Sequence, residues 1–265
     1  MATRYVKTLA EVRRLQRLYA APAFERTRAI AAVYDTDPAV VAEILPPPLR
    51  PTDRPRVSLS VAYIGASNAL QPFGACTLAV ECRYGEETGA YPITMPMSTD
   101  SAVIFGRELY GEPKKVADIQ VHHDGRVVVG TVTRHGLTYV ELRGEVQDEE
   151  RAEAARASTQ FFFKFMPAPD GNGFDNDPVL VRVRHSGVSR LVQGLDGEVI
   201  LRESPHDPVV DLPVRNLLSL TYSEGDTYTH GEILARVPGE SFLPYMFGRV
   251  DDLELLARAA AQSTA

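Results

Sequence analysis

Three runs rich in β-branched residues, at 115 to 122, 126 to 134 and 138 to 146, are separated by the turn signals His123-Asp124-Gly125 and His135-Gly136. Turns that short join antiparallel neighbours, because a parallel connection needs a crossover of about a dozen residues or more. The centre of the chain must therefore be a meander. Further strand-like runs precede it at 29 to 34, 56 to 64, 76 to 83 and 90 to 96, the last two joined by Gly85-Glu86-Glu87-Thr88-Gly89. Phe161-Phe162-Phe163 starts another buried strand, 167 to 178 reads as a long surface loop, and four more strands are expected before a last helix at about 250 to 263.

Helices are fewer. Thr8 and Glu11 have capping-box spacing, and Leu9, Val12, Leu15 and Tyr19 fall on one side, which predicts a docked helix at about 8 to 20. Arg4, Arg13, Arg14 and Arg17 give this segment some of the character of a targeting peptide, but no apolar core follows and Glu11 interrupts the basic face. Asp37 followed by Pro38 predicts the start of a short helix through Leu45, which Pro46-Pro47-Pro48 must end. Asp100 is the expected cap of a helix carrying Ala102, Val103, Phe105, Gly106 and Leu109, closed by Gly111 and Pro113, and Glu149 to Ala155 is also expected to be helical. With no low-complexity linker and no internal repeat, residues 1–265 are expected to form a single α+β domain whose main, antiparallel sheet curls into a barrel.

A chain of 265 residues with 44% hydrophobic and 24% charged residues has ample material for a core. Its 28 Lys+Arg against 35 Asp+Glu leave a formal charge of -7, which would repel a phosphate backbone, and no apolar run approaches the roughly 20 residues of a bilayer-spanning helix. Neither nucleic acid nor a membrane is expected as a partner. Cys76 and Cys82 share a strand face at roughly 20 Å separation, given about 3.3 Å per residue, so they cannot bond to each other. A reducing cytoplasm fits that usage.

Familiar cofactor signatures fail for want of the residues their chemistry needs. There is no dinucleotide fingerprint, phosphate loop or Gly-x-Ser-x-Gly elbow, and Asp170-Gly171-Asn172-Gly173-Phe174-Asp175 puts Phe174 where a calcium ligand belongs. His122 and His123 would leave opposite faces of a strand, and the histidines at 135, 185, 206 and 230 stand singly in the sequence. No metal, nucleotide or organic cofactor is expected.

Gly106-Arg107-Glu108-Leu109-Tyr110-Gly111-Glu112-Pro113-Lys114-Lys115 is different in kind. Two lysines at a strand start are ordinarily solvated edge charges, but this segment closely resembles the active-lysine segment of the acetoacetate decarboxylase family. Tyr34-Asp35-Thr36-Asp37, Leu45-Pro46-Pro47-Pro48-Leu49, Gly89-Ala90-Tyr91, Pro167-Ala168-Pro169-Asp170-Gly171 and Asp211-Leu212-Pro213-Val214 resemble further family landmarks in order, over nearly the whole chain. The resemblance implies a cone-like β-barrel with flanking helices, a tendency to form homo-oligomers, and Lys114 as the counterpart of the Schiff-base nucleophile with Lys115 as its catalytic neighbour. Such chemistry needs a neutral amine, and the family is itself the standard illustration of an amine activated beside another cation. Consecutive strand residues leave opposite faces, however, so burial rather than Lys115 is expected to keep Lys114 neutral.

The pocket lining departs from the decarboxylase pattern. Matched without gaps, Ser60 and Ala75 fall where decarboxylases of this family carry pocket glutamates, and Thr27 falls at the pocket arginine, between Arg26 and Arg28. A one-residue shift would restore the arginine as Arg28 but turn it to the other face. Arg28, Tyr110 and Tyr245 are the expected substrate-binding residues: Arg28 for a carboxylate, Tyr110 for its position four residues before Lys114, and Tyr245 because it resembles a late proton-donating tyrosine of the aldolase-like branch. Met95 and Met97 are candidates for cavity walls or core. The resemblance implies a lyase that decarboxylates acetoacetate or a related small β-keto acid through a Lys114 imine. An aldolase or dehydratase acting on pyruvate and an aldehyde through the same imine is the alternative, and a non-catalytic keto-acid-binding protein is a third reading.

Overall fold

The computed structural model describes residues 3–150 and 154–263. Helix α1 (Leu9–Ala20) leads into β1 (Ala23–Asp35), α2 (Pro38–Ile44), β2 (Arg50–Pro51), β3 (Arg56–Ser67), β4 (Phe73–Tyr84) and β5 (Glu87–Met97). After α3 (Asp100–Tyr110) come β6 (Lys114–Val116), β7 (Asp118–Asp124), β8 (Val127–Arg134), β9 (Leu137–Glu150), β10 (Ala154–Lys164), β11 (Val179–Leu201) and β12 (Asn216–Arg236). The chain ends with α4 (Gly239–Phe242), a 3-10 run over Leu243–Arg249, and α5 (Leu253–Ser263).

The meander expected at the centre is present: β7, β8 and β9 pair antiparallel in sequence order. Elsewhere the neighbours run β10-β5-β4-β3-β1-β12-β11, and pairing of β10 with β11 closes this path into a ring from which β9, β8 and β7 extend. The ring has two faces with different contents. Directly opposed residues lie on the same face of a sheet, so the pairs Ala31–Ser60, Ala29–Ala62 and Thr27–Ile64 face one way, and Ile30–Val61 and Arg28–Tyr63 face the other. Ile30, Val57, Leu59, Val61, Leu78 and Tyr222 belong to the larger apolar core, which also takes in Val128, Val132 and Leu142 from the meander. A second cluster, containing Ile64, Phe73, Met95, Met97, Tyr110 and Phe162, lines the other face. Burying a Leu or Ile side chain contributes about 1.5–3 kcal/mol, so the larger cluster fixes the register from which the second face inherits its geometry.

Three expectations are corrected. Glu149 and Glu150 are strand residues paired with Gln193 and Val192, and Ala154 and Ala155 are strand residues paired with Ser189 and Val188. Ladder pairing to β11 overrides the helical propensity of this stretch, whose residues 151–153 lie outside the described residues. The region 179 to 236 holds two long strands rather than four. Their alternation is broken by register shifts between Ser189 and Leu191 and between Gly194 and Leu195, while the ladder continues through them. Helix α3 is capped by Thr99, whose hydroxyl accepts the Ala102 N–H, with Asp100 inside the first turn. Helix α1 has its capping box, yet none of its described residues is buried, and Tyr19 meets Phe105 at a ring-centroid distance of 5.4 Å.

Candidate active site

Helix α3 stops so that the next four residues can turn back along β5. Gly111 adopts φ 81°, and its N–H reaches the Gly106 and Arg107 carbonyls at 3.1 Å each. A Cβ there would lie 2.4 Å from the Lys164 Cα, so only glycine fits both the dihedral and the space. Pro113 sits at the centre of a tight turn: the Lys114 N–H returns to the Glu112 carbonyl at 2.8 Å, and the Met95 N–H donates to the Pro113 carbonyl at 3.0 Å. Lys114 then pairs with Met95 as β6 joins β5 in parallel. The turn at Pro113 brings Glu112 and Lys114 to the same place: both line a cavity of about 620 Å³ within the ring.

Lys114 is 6% exposed and Glu112 also 6%. Their charged atoms, Nζ and Oε2, are 2.6 Å apart, an ion pair by distance whose approach is out of hydrogen-bonding alignment. Gly106 of α3 presses on this pair: a Cβ at that position would come within 1.9 Å of the Glu112 oxygen and 2.5 Å of the Lys114 nitrogen. Around it the cavity is part apolar, with Phe24, Phe73, Met95, Met97 and Phe105, and part polar, with Ser60, Gln160, His185 and Thr229. The His185 ring bridges Thr229 Oγ1 at 3.2 Å and Gln160 Oε1 at 3.0 Å. Burial lowers the His185 pKa below its ordinary value, Glu112 opposing and Lys114 reinforcing the shift.

The residues anticipated from sequence divide between this cavity and other places. Tyr110 lines it, buried, with no hydrogen-bond partner for its hydroxyl among the described residues, and burial with help from Glu112 pushes its pKa up to about 12. Met95 and Met97 are walls, and Ser60 and Ala75 occupy the wall positions anticipated for them. Lys115 does not enter the cavity. Alternation sends its amine the other way, to the His206 carbonyl at 2.7 Å, Asp207 at 3.0 Å and Asp251 at 3.5 Å. Arg28 is a second correction: it is exposed on the opposite face of β1, its guanidinium 5.4 Å from the Tyr63 ring centroid, while Thr27 holds the inward position. Tyr245 is the third, because the run after α4 carries it into a different cavity, where its hydroxyl meets the Glu43 carbonyl at 3.5 Å.

The family model described as Acetoacetate decarboxylase (ADC) matches residues 11–237. The chain belongs to the acetoacetate decarboxylase family. It is 26% identical over 212 residues to acetoacetate decarboxylase 3 of Mesorhizobium japonicum, covering 77% of this chain and 81% of that protein. Among solved structures it resembles acetoacetate decarboxylase from Legionella pneumophila, with a TM-score of 0.74 at 19% identity over 81% of this chain and 87% of the other. It also resembles the enduracididine biosynthesis enzyme MppR complexed with pyruvate, with a TM-score of 0.66 at 14% identity over 82% of this chain and 90% of the other. At those identities the two structures speak for an acetoacetate decarboxylase-like fold.

Within this family's fold, five polar groups at the cavity escaped the reading of the sequence. Glu112 sits inside the very segment that carries the family resemblance, and its place two residues before Lys114 was the available signal. Gln160 and His185 come from β10 and β11, and Thr229 from β12, brought together by cross-strand pairing that no local pattern encodes. Arg156 reaches the same cavity from β10. Burial lowers its pKa and Asp226 opposes the shift, but Asp226 is itself held by Arg190.

Proposed function

We propose that this acetoacetate decarboxylase family member is a lyase that decarboxylates a β-keto acid through an imine on Lys114. The observation that carries the reading is the buried Lys114 amine facing the cavity 2.6 Å from Glu112. Glu112 is positioned to take the ammonium proton, freeing the amine to attack the substrate ketone. Loss of water from the carbinolamine gives a protonated imine. When the carboxylate leaves as CO2, the electrons of the broken C–C bond flow into that imine and leave an enamine, which takes a proton at carbon; hydrolysis then returns the amine. The imine is the electron sink, so the sequence of steps needs no metal or organic cofactor.

Arg156 takes the role of carboxylate recognition that the sequence assigned to Arg28, because among the described residues it is the arginine that lines the Lys114 cavity. His185, held toward its neutral form by burial, supplies the proton relay at the polar wall. A cavity of about 620 Å³ with Phe24, Phe73 and Phe105 in its walls accommodates a keto acid with an apolar body, larger than acetoacetate itself. The same reading takes residues 1–265 as one domain, the ring as the family's cone-like barrel, and a cytoplasmic homo-oligomer as the working form.

A second reading, aldol or dehydratase chemistry on pyruvate, is favoured by the replacement of the family's pocket glutamates with Ser60 and Ala75 and by the likeness to a pyruvate-bound enzyme. Incubation with acetoacetate, with a β-keto acid bearing an apolar chain, or with pyruvate, followed by borohydride and peptide mapping, tests both. An adduct on the Lys114 peptide supports imine chemistry, and its absence with every keto acid leaves the protein a binder. Release of CO2 with the ketone selects decarboxylation; an aldol or enone product without CO2 selects the alternative.

A further inference from the structure

Segment 110 to 114 divides two cavities. Tyr110, Glu112 and Lys114 face the one within the ring, whereas Gly111 and Pro113 line a second of about 490 Å³. The second is walled by stacked rings: Phe163 and Phe242 lie 4.5 Å apart at an interplanar angle of 21°, and Tyr245 stacks on Phe242 at 6.1 Å. Arg249 is set into this aromatic wall and is 7% exposed. Its guanidinium lies 3.6 Å from the Phe165 ring centroid.

A guanidinium carries five N–H donors. Among the described residues the structure gives those of Arg249 a single acceptor, the Phe165 carbonyl at 3.0 Å. No described carboxylate lies within ion-pair distance. Glu108 acts on it from an exposed position, Glu43 lines the cavity at an exposed position, and the Arg107 guanidinium adds a second positive charge nearby while donating to the Arg249 carbonyl at 3.3 Å. Burial and Arg107 push the Arg249 pKa down to about 10. No Arg249 nitrogen is sealed away without a partner, so the donors left unmatched face the cavity it lines, and a bidentate carboxylate entering there can take them because its two oxygens match the guanidinium fork.

We propose that this second cavity is a binding site for an aromatic monocarboxylate, its carboxylate on Arg249 and its ring against Phe163, Phe242 and Tyr245. The site is separate from the Lys114 cavity and does not depend on what Lys114 does.

The probe is 2-naphthoate, with 2-naphthamide as the neutral isostere, and binding to the full-length protein is read by calorimetry. The expected result is saturable binding of naphthoate, weakened about tenfold or more in Arg249→Met, unchanged in Arg156→Met, and absent for naphthamide. The chain contains no Trp, so Tyr245→Trp places a lone indole in the second cavity with Arg249 intact, and its emission must change saturably with naphthoate. This arm stands even where Arg249→Met fails to fold. No binding by the wild-type protein, equal binding of the amide, loss in Arg156→Met rather than Arg249→Met, or an indole emission in Tyr245→Trp that is indifferent to naphthoate each overturns the proposal.

Discussion

Lys114 and Lys115 are adjacent in sequence and nearly equal in burial, 6% and 7% exposed, yet they live in opposite circumstances. Lys114 has one carboxylate and an open cavity in front of it. Lys115 is locked among Asp207, Asp251 and the His206 carbonyl, and Arg134 binds both of those aspartates while His135 adds to Asp251 at 2.8 Å. Burial alone therefore does not mark a reactive lysine. What separates them is how many fixed partners hold the ammonium and whether a substrate can reach the nitrogen. On the proposed reading the first lysine does the chemistry, whereas the second anchors the strand to the 206–207 loop and to the start of the C-terminal helix.

The sharpest way to break this contrast is to exchange each amine for a methionine. Lys114→Met is expected to lower turnover at least about a thousandfold and to abolish the borohydride adduct, while Lys115→Met keeps an adduct on Lys114 but melts at lower temperature. Adduct formation in Lys114→Met, or its loss in a folded Lys115→Met, reverses the assignment. Next in size is Asp207→Asn, which leaves Lys115 and Arg134 short of a buried counter-charge and is expected to destabilise the protein by about 3–5 kcal/mol in denaturant unfolding. Glu112→Gln should cost about a hundredfold in turnover with little change in melting temperature; equal turnover would remove Glu112 from the proton path.

Smaller effects sharpen the comparison through pH. Burial alone would raise the Asp251 pKa, but hydrogen bonds from Arg134 and His135 and the charges of Arg134 and Lys115 outweigh it and hold the carboxyl at about 2, against an ordinary 3.8. Its stabilising contribution is therefore complete above about pH 3.8 and disappears as pH falls through about 2. Asp251→Asn should lower stability at neutral pH and flatten the slope of stability against pH in that window. His185 works in the opposite sense from a paired histidine. Because burial lowers its pKa from 6.5, the unfolded chain binds the extra proton more readily, and stability falls as pH drops below about 6.5. His185→Gln should remove that part of the acid-side loss, measured as melting temperature between pH 7 and 5.

Much of the frame was legible because it is written in local signals. The turns at 123–125 and 135–136 specified the meander, and Gly111 and Pro113 marked where α3 ends and the lysine segment begins. Stacking the alternation argument on those landmarks separated Lys114 from Lys115. The errors lie where partners distant in sequence decide. Glu149 and Ala155 belong to strands because β11 pairs with them, and Arg28 faces outward because the β1–β3 register gives the inward place to Thr27. Tyr245 was assigned by resemblance, but the run after α4 carries it into the second cavity, and Gln160, His185 and Thr229 converge only after the ring closes.

Gly106 bears no functional group, yet the volume it leaves vacant is where the glutamate oxygen and the lysine nitrogen meet. The room for that ion pair is thus made by an absent methyl. A single alanine there would evict both side chains from their resting place without touching an acid, a base or a nucleophile, so a homologue that kept every ionisable residue could still have lost its chemistry to one carbon atom.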